Sequence, residues 1–343
     1  KGEFISAAVG QRVLELAEEA SFEFAAVDHL GSQLTDNSFL EKHIEEVLKL
    51  TLVNEAVIRA AKFKVVVDGV NSSGGIYIPA LLEAMGVEVI KLFCDPTGHF
   101  PHNPEPLEEH LTDIKAAVLA HKADLGIVVD PDVDRLAFIS EDGSMFGEEY
   151  TLVACADYVL SKTPGATVSN LSSTRALRDV TQKHGQKYTA SAVGEVNVVT
   201  AMKAENAVIG GEGNGGIIYP ESHYGRDALV GVALFLMLLA EKKTTASALR
   251  ATYPAYFMRK DKISLTEDIN VDAILTAMAT LYKEEEVNTT DGVKIDFEHH
   301  WVHLRKSNTE PIIRIYTEAT SLDLATSVAD AMMQQILDLS KKV

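Results

Sequence analysis

Cysteine is scarce in this chain: Cys94 and Cys155 are the 2 in 343 residues, and they form no CxxC. That usage supports neither a disulfide framework nor a zinc knuckle, and a reducing, cytoplasmic setting is the expectation. Basic residues are also short, 31 Lys and Arg against 50 Asp and Glu, for a formal charge of -19. This balance argues against nucleic acid or an anionic membrane as a partner, so an anionic ligand must meet a local basic pocket. No apolar run approaches the ~18–20 residues of a membrane span, and the opening KGEFISAAVGQRVLELAEE is not a signal peptide. An initiator Met is missing too, as expected of a fragment. Aromatics make up only 7%, but 46% hydrophobic residues over this length are enough for two or three soluble domains.

What is present is a repeating alternation of strand and helix. Residues 4–20 predict an amphipathic helix with Ile5, Val9, Val13, Leu14 and Leu16 on one broad face, and a second helical stretch covers about 37–61. KFKVVVDG reads as a buried strand, 76–85 as a helix and GVEVIKLFCD as the next strand, a strand-helix-strand unit of a parallel sheet. A helix at about 106–121 leads to the strand ADLGIVVD, and RLAFISEDG continues as a strand with a turn at Asp142 and Gly143. A second unit of the same kind begins near Glu148, runs through ATVSNLS, KYTAS and NAVIGGEGNGGIIYP, and ends in the apolar helix ALVGVALFLMLLAEK. From about Lys260 a charged region precedes two strands in HWVHLRKSNTEPIIRIYTEA and a closing helix from Asp323, a small α+β domain. The fold class expected is therefore α/β, with related three-layer α/β domains on mixed sheets plus a smaller C-terminal α+β domain. The boundaries expected are 1–36 for a remnant of a first domain, then 37–146, 147–257 and 258–343.

Three loops carry chemistry. In VVDPDVDRLAF, Asp130, Asp132 and Asp134 follow a buried strand at alternate positions, where open α/β sheets bind ligands. Three carboxylates converging there suit a hard divalent cation. An EF-hand shares the spacing and even finds Glu141 at its last position, but Arg135 stands where the calcium turn needs Gly. A haloacid-dehalogenase-like phosphatase also places DxDxV after a strand, with Asp130 as nucleophile, and remains an alternative. Three merely solvated Asp would leave unpaired like charges close together. The glycines of GGEGNGG let backbone approach a ligand and leave Glu212 and Asn214 as its hydrogen-bonding side chains, with Glu212 expected to face outward toward sugar hydroxyls. RKSNTEPIIR gathers Arg305, Ser307, Asn308, Thr309 and Arg314 around a turn, a donor set for phosphate. NSSGG near Ser72 lacks the GK[ST] of a P-loop and reads as a backbone turn, and His99 and His102 read as surface residues.

Taken in order, DPDxDR, GEGNGG and RxSNTEPxxR resemble the α-D-phosphohexomutase family of phosphoglucomutases, phosphomannomutases and phosphoglucosamine mutases. The resemblance runs from Lys1 to Val343. It implies reversible phosphoryl transfer between O1 and O6 of a hexose phosphate, through a phosphoserine enzyme and a 1,6-bisphosphate. It further implies Mg²⁺ on Asp130, Asp132 and Asp134, Arg135 beside the reacting phosphate, sugar contacts from Glu212 and Asn214, and the second phosphate on Arg305, Ser307, Asn308, Thr309 and Arg314. A glucose-1,6-bisphosphate-type activator and a monomer or homodimer fit the family, and HYGRD at 223–227 is a further family-like stretch with Arg226 and Asp227 supporting the cleft. Two departures stand out. The family's TASHNP-like serine loop is absent, so the chain is expected to begin just past it and to be inactive alone. Ala192 also stands where many relatives carry a lysine, which leaves the general acid-base group open. A non-catalytic sugar-phosphate binder is the remaining alternative.

Overall fold

The computed structural model describes residues 3–20, 22–264, 269–306 and 312–341. Helix α1 (Ala7–Glu19) starts where the Ser6 hydroxyl accepts from the Val9 amide. Its apolar stripe forms, but Val9, Val13 and Leu14 stay exposed. The single helix expected over 37–61 is two, α2 (Phe39–Leu48) and α3 (Glu55–Ala61). Asn54 makes the break: its backbone is extended and its side chain accepts from the Ala56 and Val57 amides, capping a new helix.

The first sheet contains β1 (Lys64–Asp68), β2 (Glu88–Leu92), β3 (Leu125–Val129) and β4 (Leu136–Ser140), with α4 (Gly74–Ala84) and α5 (Thr112–His121) as crossovers. Its order is β2-β1-β3-β4: β1 runs parallel to β2 and β3, and β4 returns antiparallel to β3. Helix α6 (Glu148–Lys162) opens a second sheet of β5 (Thr167–Asn170), β6 (Tyr188–Ser191), β7 (Ile209–Glu212) and β8 (Gly216–Ile218), crossed by α7 (Ala176–Lys183) and α8 (Glu195–Glu205). The order β6-β5-β7-β8, with the same parallel and antiparallel pairings, repeats the first sheet strand for strand. DPDVDR, between β3 and β4, is thus the topological counterpart of the turn between β7 and β8. The two sequence motifs occupy one position of a repeated unit.

Helix α9 (Ala228–Lys242) is apolar on every face because it lies between the two units, packed on α2, α3 and α6 and on β4 and β8. Phe235 at its centre stacks on Phe138 of β4, ring centroids 3.9 Å apart, and meets Phe146 edge-on at 5.0 Å. Helix α10 (Ala246–Arg250) then leads into a separate antiparallel sheet. Its strands are β9 (Phe257–Ser264), β10 (Glu286–Asn288), β11 (Val293–Asp296), β12 (His300–Lys306) and β13 (Ile312–Ala319), in the order β10-β11-β12-β13-β9. Helices α11 (Val271–Leu281) and α12 (Leu322–Ser340) cover one face, where Ile274, Met278 and Ile336 pack on Ile295, Leu304 and Ile315. The stretch from Lys260 to His299, expected only as a charged region, holds most of β9 together with α11, β10 and β11. FMRKDKIS hides its strand because, of its eight residues, Ile263 is the one fully buried.

The aromatic cluster sets a test of this architecture. Phe235→Ala is expected to cost about 3–5 kcal/mol of unfolding free energy, the range for emptying a buried aromatic site. Urea denaturation measures it, and a loss under about 1 kcal/mol would show that α9 is not the shared core of the two units.

Candidate active site

Strand β3 is buried throughout and delivers Asp130, itself 5% exposed, to its C-terminal end. Asp130 Oδ1 accepts from the amides of Asp134 at 3.1 Å and Arg135 at 3.0 Å, which curls the loop on itself, with Val133 in the left-handed region at φ 61°. The curl brings one oxygen each of Asp130, Asp132 and Asp134 within 4.8 Å of one another. Burial and the charges of Asp134 and Asp132 push the Asp130 carboxyl up to about 7, against the Arg135 amide. Asp134 Oδ1 is buried without a hydrogen-bond partner among the described residues. An oxygen-only, charge-crowded cluster with an orphaned acceptor fits a hard divalent cation. The NSSGG turn supports it: the hydroxyls of Ser72 and Ser73 donate to the Pro131 carbonyl at 2.8 and 2.6 Å.

The second loop meets the first directly. The Leu136 amide donates to the Gly215 carbonyl at 3.1 Å. Gly215 has φ 88°, and a Cβ there would run into the Leu136 backbone, so this contact requires glycine. Glu212 does not face outward as expected. It is the last residue of β7, 6% exposed, with Oε1 accepting from Asn170 Nδ2 at 2.9 Å and the Gly194 amide at 3.3 Å. Asn214 Oδ1 accepts from the Gly216 amide and closes the turn. Ser173 serves here as Ser72 and Ser73 serve the acidic loop, its hydroxyl accepting from the Gly213 amide at 2.9 Å.

Arg226 ties the two loops. Its Nη2 lies 2.5 Å from Asp134 Oδ2, its Nη1 3.2 Å from Glu212 Oε2 and its Nε 2.7 Å from Glu195 Oε2, while its amide donates to Glu195 Oε1. Burial opposes the guanidinium charge, and the three carboxylates outweigh it, so its pKa stands above the ordinary value. Glu195 comes from the start of α8, so one side chain joins three elements.

The third loop stands on the antiparallel sheet. Arg305 on β12 pairs directly with Arg314 on β13, and Arg314 pairs with Lys262 on β9. Cations at facing positions repel, and an anion lying across the row would relieve that repulsion. Asp291 at 2.9 Å from Arg305 Nε compensates one end. Ser307, Asn308 and Thr309 lie outside the described residues. The sheet is joined to the second unit by Arg175, whose guanidinium donates to Asp296 and to the carbonyls of Phe297, Glu298 and His300, while its amide donates to the buried Glu318. His303 makes the same junction, with Ser172 Oγ 2.9 Å from its Nδ1 and the Asp291 carbonyl 2.7 Å from its Nε2.

The three loops share a cleft of about 380 Å³, lined by Arg135, Glu212, Asn214, Arg305 and Arg314 among others. Arg135 also pairs with Glu105 Oε1 at 3.1 Å and stands 3.4 Å from Asp130 Oδ2. Lys260 and Glu149 line the cleft and were not anticipated. Burial pushes the Glu149 carboxyl up to about 8, against Lys260 at 3.9 Å. Neither had a signal in the sequence: Lys260 lies in the charged strand FMRKDKIS and Glu149 at the head of a helix. His102, expected at the surface, is instead paired with the buried Asp68 at 3.0 Å.

The chain is similar to known proteins in both sequence and fold. Models of the phosphoglucomutase/phosphomannomutase family match in three consecutive pieces: alpha/beta/alpha domain II over residues 41–143, alpha/beta/alpha domain III over 147–256 and the C-terminal domain over 259–335. A probable phosphoglucosamine mutase of Methanopyrus kandleri is 32% identical over 93% of this chain and 70% of its own length. A phosphoglucomutase/phosphomannomutase of Thermococcus kodakarensis is 35% identical over 91% and 68%. Among solved structures, a phosphoglucomutase/phosphomannomutase family protein from Burkholderia thailandensis superposes with a TM-score of 0.83 at 26% identity, covering 98% of this chain and 71% of that one. None of these is a haloacid-dehalogenase-like phosphatase. No described helix is long and apolar enough to cross a membrane.

His303 gives the site a pH dependence. Burial, then Lys294 and Arg305, hold its imidazole down to about 4, against the Asp291 carbonyl. A depressed pKa means that the unfolded chain binds the extra proton, so this contribution is complete above about 6.5 and is lost as pH falls toward 4. Over that window His303 is expected to remove up to about 3 kcal/mol of stability. Urea unfolding at several pH values, with His303→Gln as reference, should show the wild type losing more; parallel curves would contradict the burial assigned to this ring.

Proposed function

We propose that this chain, which belongs to the phosphoglucomutase/phosphomannomutase family, holds a hexose phosphate while a phosphoryl group moves between its O1 and O6. One observation carries this reading: Arg135 of the acidic loop, Glu212 and Asn214 of the carboxylate loop, and Arg305 and Arg314 of the cation row line a single cleft of about 380 Å³. That is room for one sugar between Arg135, which borders the proposed metal seat at Asp130, and the arginines of the proposed phosphate grip.

Asp130, Asp132 and Asp134 would hold Mg²⁺, which when bound offsets the negative charge that gathers on the transferring phosphoryl oxygens. Arg135 stands beside that seat and contributes a fixed guanidinium to the same charge, at no cost of reorganisation during the reaction. Arg305, Arg314 and Lys262 would grip the phosphate that is not reacting. A row of cations across adjacent strands suits a phosphate that must be accepted from either end of the sugar, since its donors do not depend on one ring orientation. Glu212 is held by Asn170, Gly194 and Arg226, so it offers a fixed acceptor to sugar hydroxyls. In the proposed cycle a phosphoserine donates the phosphoryl group. Ser172 and Ser173 do not fit that part, because both hydroxyls are engaged at His303 and at Gly213 and Asn170. Proton transfer at the reacting hydroxyls needs a partner, and Glu149, pushed up to about 8 in the cleft wall and so carrying a proton near pH 7, stands in a suitable place to exchange it.

Calorimetric titration with glucose 1,6-bisphosphate in the presence of Mg²⁺ tests the reading. Arg305→Ala is expected to weaken binding about 10- to 100-fold, from the ~1.5–3 kcal/mol of a charged hydrogen bond. Asp132→Ala is expected to abolish the Mg²⁺ dependence of binding. Unchanged affinity in Arg305→Ala would sink the phosphate assignment, and a persistent Mg²⁺ effect in Asp132→Ala would sink the metal assignment.

A further inference from the structure

A second cluster of ligating side chains lies outside the cleft. His43 on α2, His223 in the segment before α9 and Asp227 at the start of α9 place one ligand atom each within 4.8 Å of one another. Both imidazoles address the same oxygen: His43 Nε2 is 2.7 Å and His223 Nε2 3.0 Å from Asp227 Oδ2. Asp227 Oδ1 is occupied, accepting from the amides of Leu229 and Val230 at 2.9 and 3.2 Å. The carboxylate cannot swing away without uncapping α9, so Oδ2 is locked facing the two rings. Asp227 is buried, but each imidazole is about one-third exposed, at 34% and 32%. A cavity of about 390 Å³ opens beside them, lined also by Lys42, Glu46 and Glu221.

We propose that His43, His223 and Asp227 form a binding site for a Zn²⁺-class ion, separate from the acidic loop. Two imidazole nitrogens and one carboxylate oxygen are the donor set that Zn²⁺ takes in open sites, with the fourth position left for water. Mg²⁺, which needs oxygen ligands, is not suited to it. Ligand distances of about 2.0–2.2 Å spread the donors slightly wider than the present hydrogen bonds, a shift of a few tenths of an ångström that the partly exposed rings can make. The ion would take the place of the two N–H protons now shared with Oδ2. Because α2 and α9 are contributed by distant parts of the chain, the ion acts as a clamp between them. It also fixes the segment from which Arg226, one residue before Asp227, reaches into the cleft.

Equilibrium dialysis of the whole chain against Zn²⁺ in excess Mg²⁺, with metal counted by mass spectrometry, tests the site. The His43→Gln, His223→Gln double variant is expected to weaken Zn²⁺ binding beyond the roughly 10- to 100-fold that loss of an outer-shell partner costs. Asp132→Asn, in the acidic loop, is expected to leave it in place. Pulsed electron paramagnetic resonance of Cu²⁺ bound to the unaltered chain adds a readout that needs no variant. Two coordinated imidazoles are expected, which the all-carboxylate loop cannot supply. Zn²⁺ binding equal in the unaltered chain and the double variant, no Zn²⁺ binding at all, or a Cu²⁺ signal without imidazole nitrogen would each overturn the proposal and leave a hydrogen-bonded His-Asp-His cap.

Discussion

One guanidinium holds this cleft together. Arg226 is 13% exposed and faces Asp134, Glu195 and Glu212, each less than one-fifth exposed. Three carboxylates so close and so poorly solvated would repel strongly or take up protons without that counter-charge. The acidic loop comes from the first sheet, Glu212 from the second and Glu195 from the helix start beside it. The relative placement of the proposed metal seat and sugar contacts therefore passes through a side chain that belongs to neither motif. The neighbouring backbone reinforces it: the amide of Ala228 donates to the Val133 carbonyl at 3.1 Å, so the segment that carries Arg226 is pinned to the acidic loop.

The repeated unit explains why this arrangement is available. Two sheets of the same order present the same connection, after the third strand of each, toward a common cleft, and α9 packs between them as a shared core. In each unit the loop after the first strand supplies serine hydroxyls to the functional loop, Ser72 and Ser73 in one and Ser173 in the other. The third sheet is built differently and contributes charge in place of carboxylates. Its junction, through Arg175, Glu318 and His303, is buried and polar, and its hydrogen bonds give it direction as well as adhesion.

The strand-helix alternation and the three loops were legible in the sequence because each rests on a local signal: apolar runs, five glycines in seven residues, carboxylates at alternate positions. The α/β class and the two mixed sheets followed from the same signals. Long-range partnership was not legible. Nothing in HYGRD shows that Arg226 reaches residues some 90 positions away, and Glu212 could be read as outward-facing because the loop alone does not reveal Asn170 or Gly194. The strands of the last sheet were missed where burial falls on single residues such as Ile263, a pattern that charge conceals. Asn54 divided a helix that periodicity alone had joined, since capping competes with continuation.

The dependence of the cleft on Arg226 is tested most directly by the stability of Arg226→Met as a function of pH. Removing the cation strands three poorly solvated carboxylates, a loss expected to reach about 3–5 kcal/mol at pH 7–8. Unpaired carboxylates have raised pKa values, so they take up protons as pH falls and the gap from the wild type should shrink toward pH 5. A gap that narrows in this way supports the guanidinium as the tie between the loops. A gap below about 1 kcal/mol, or one that does not change with pH, would contradict it.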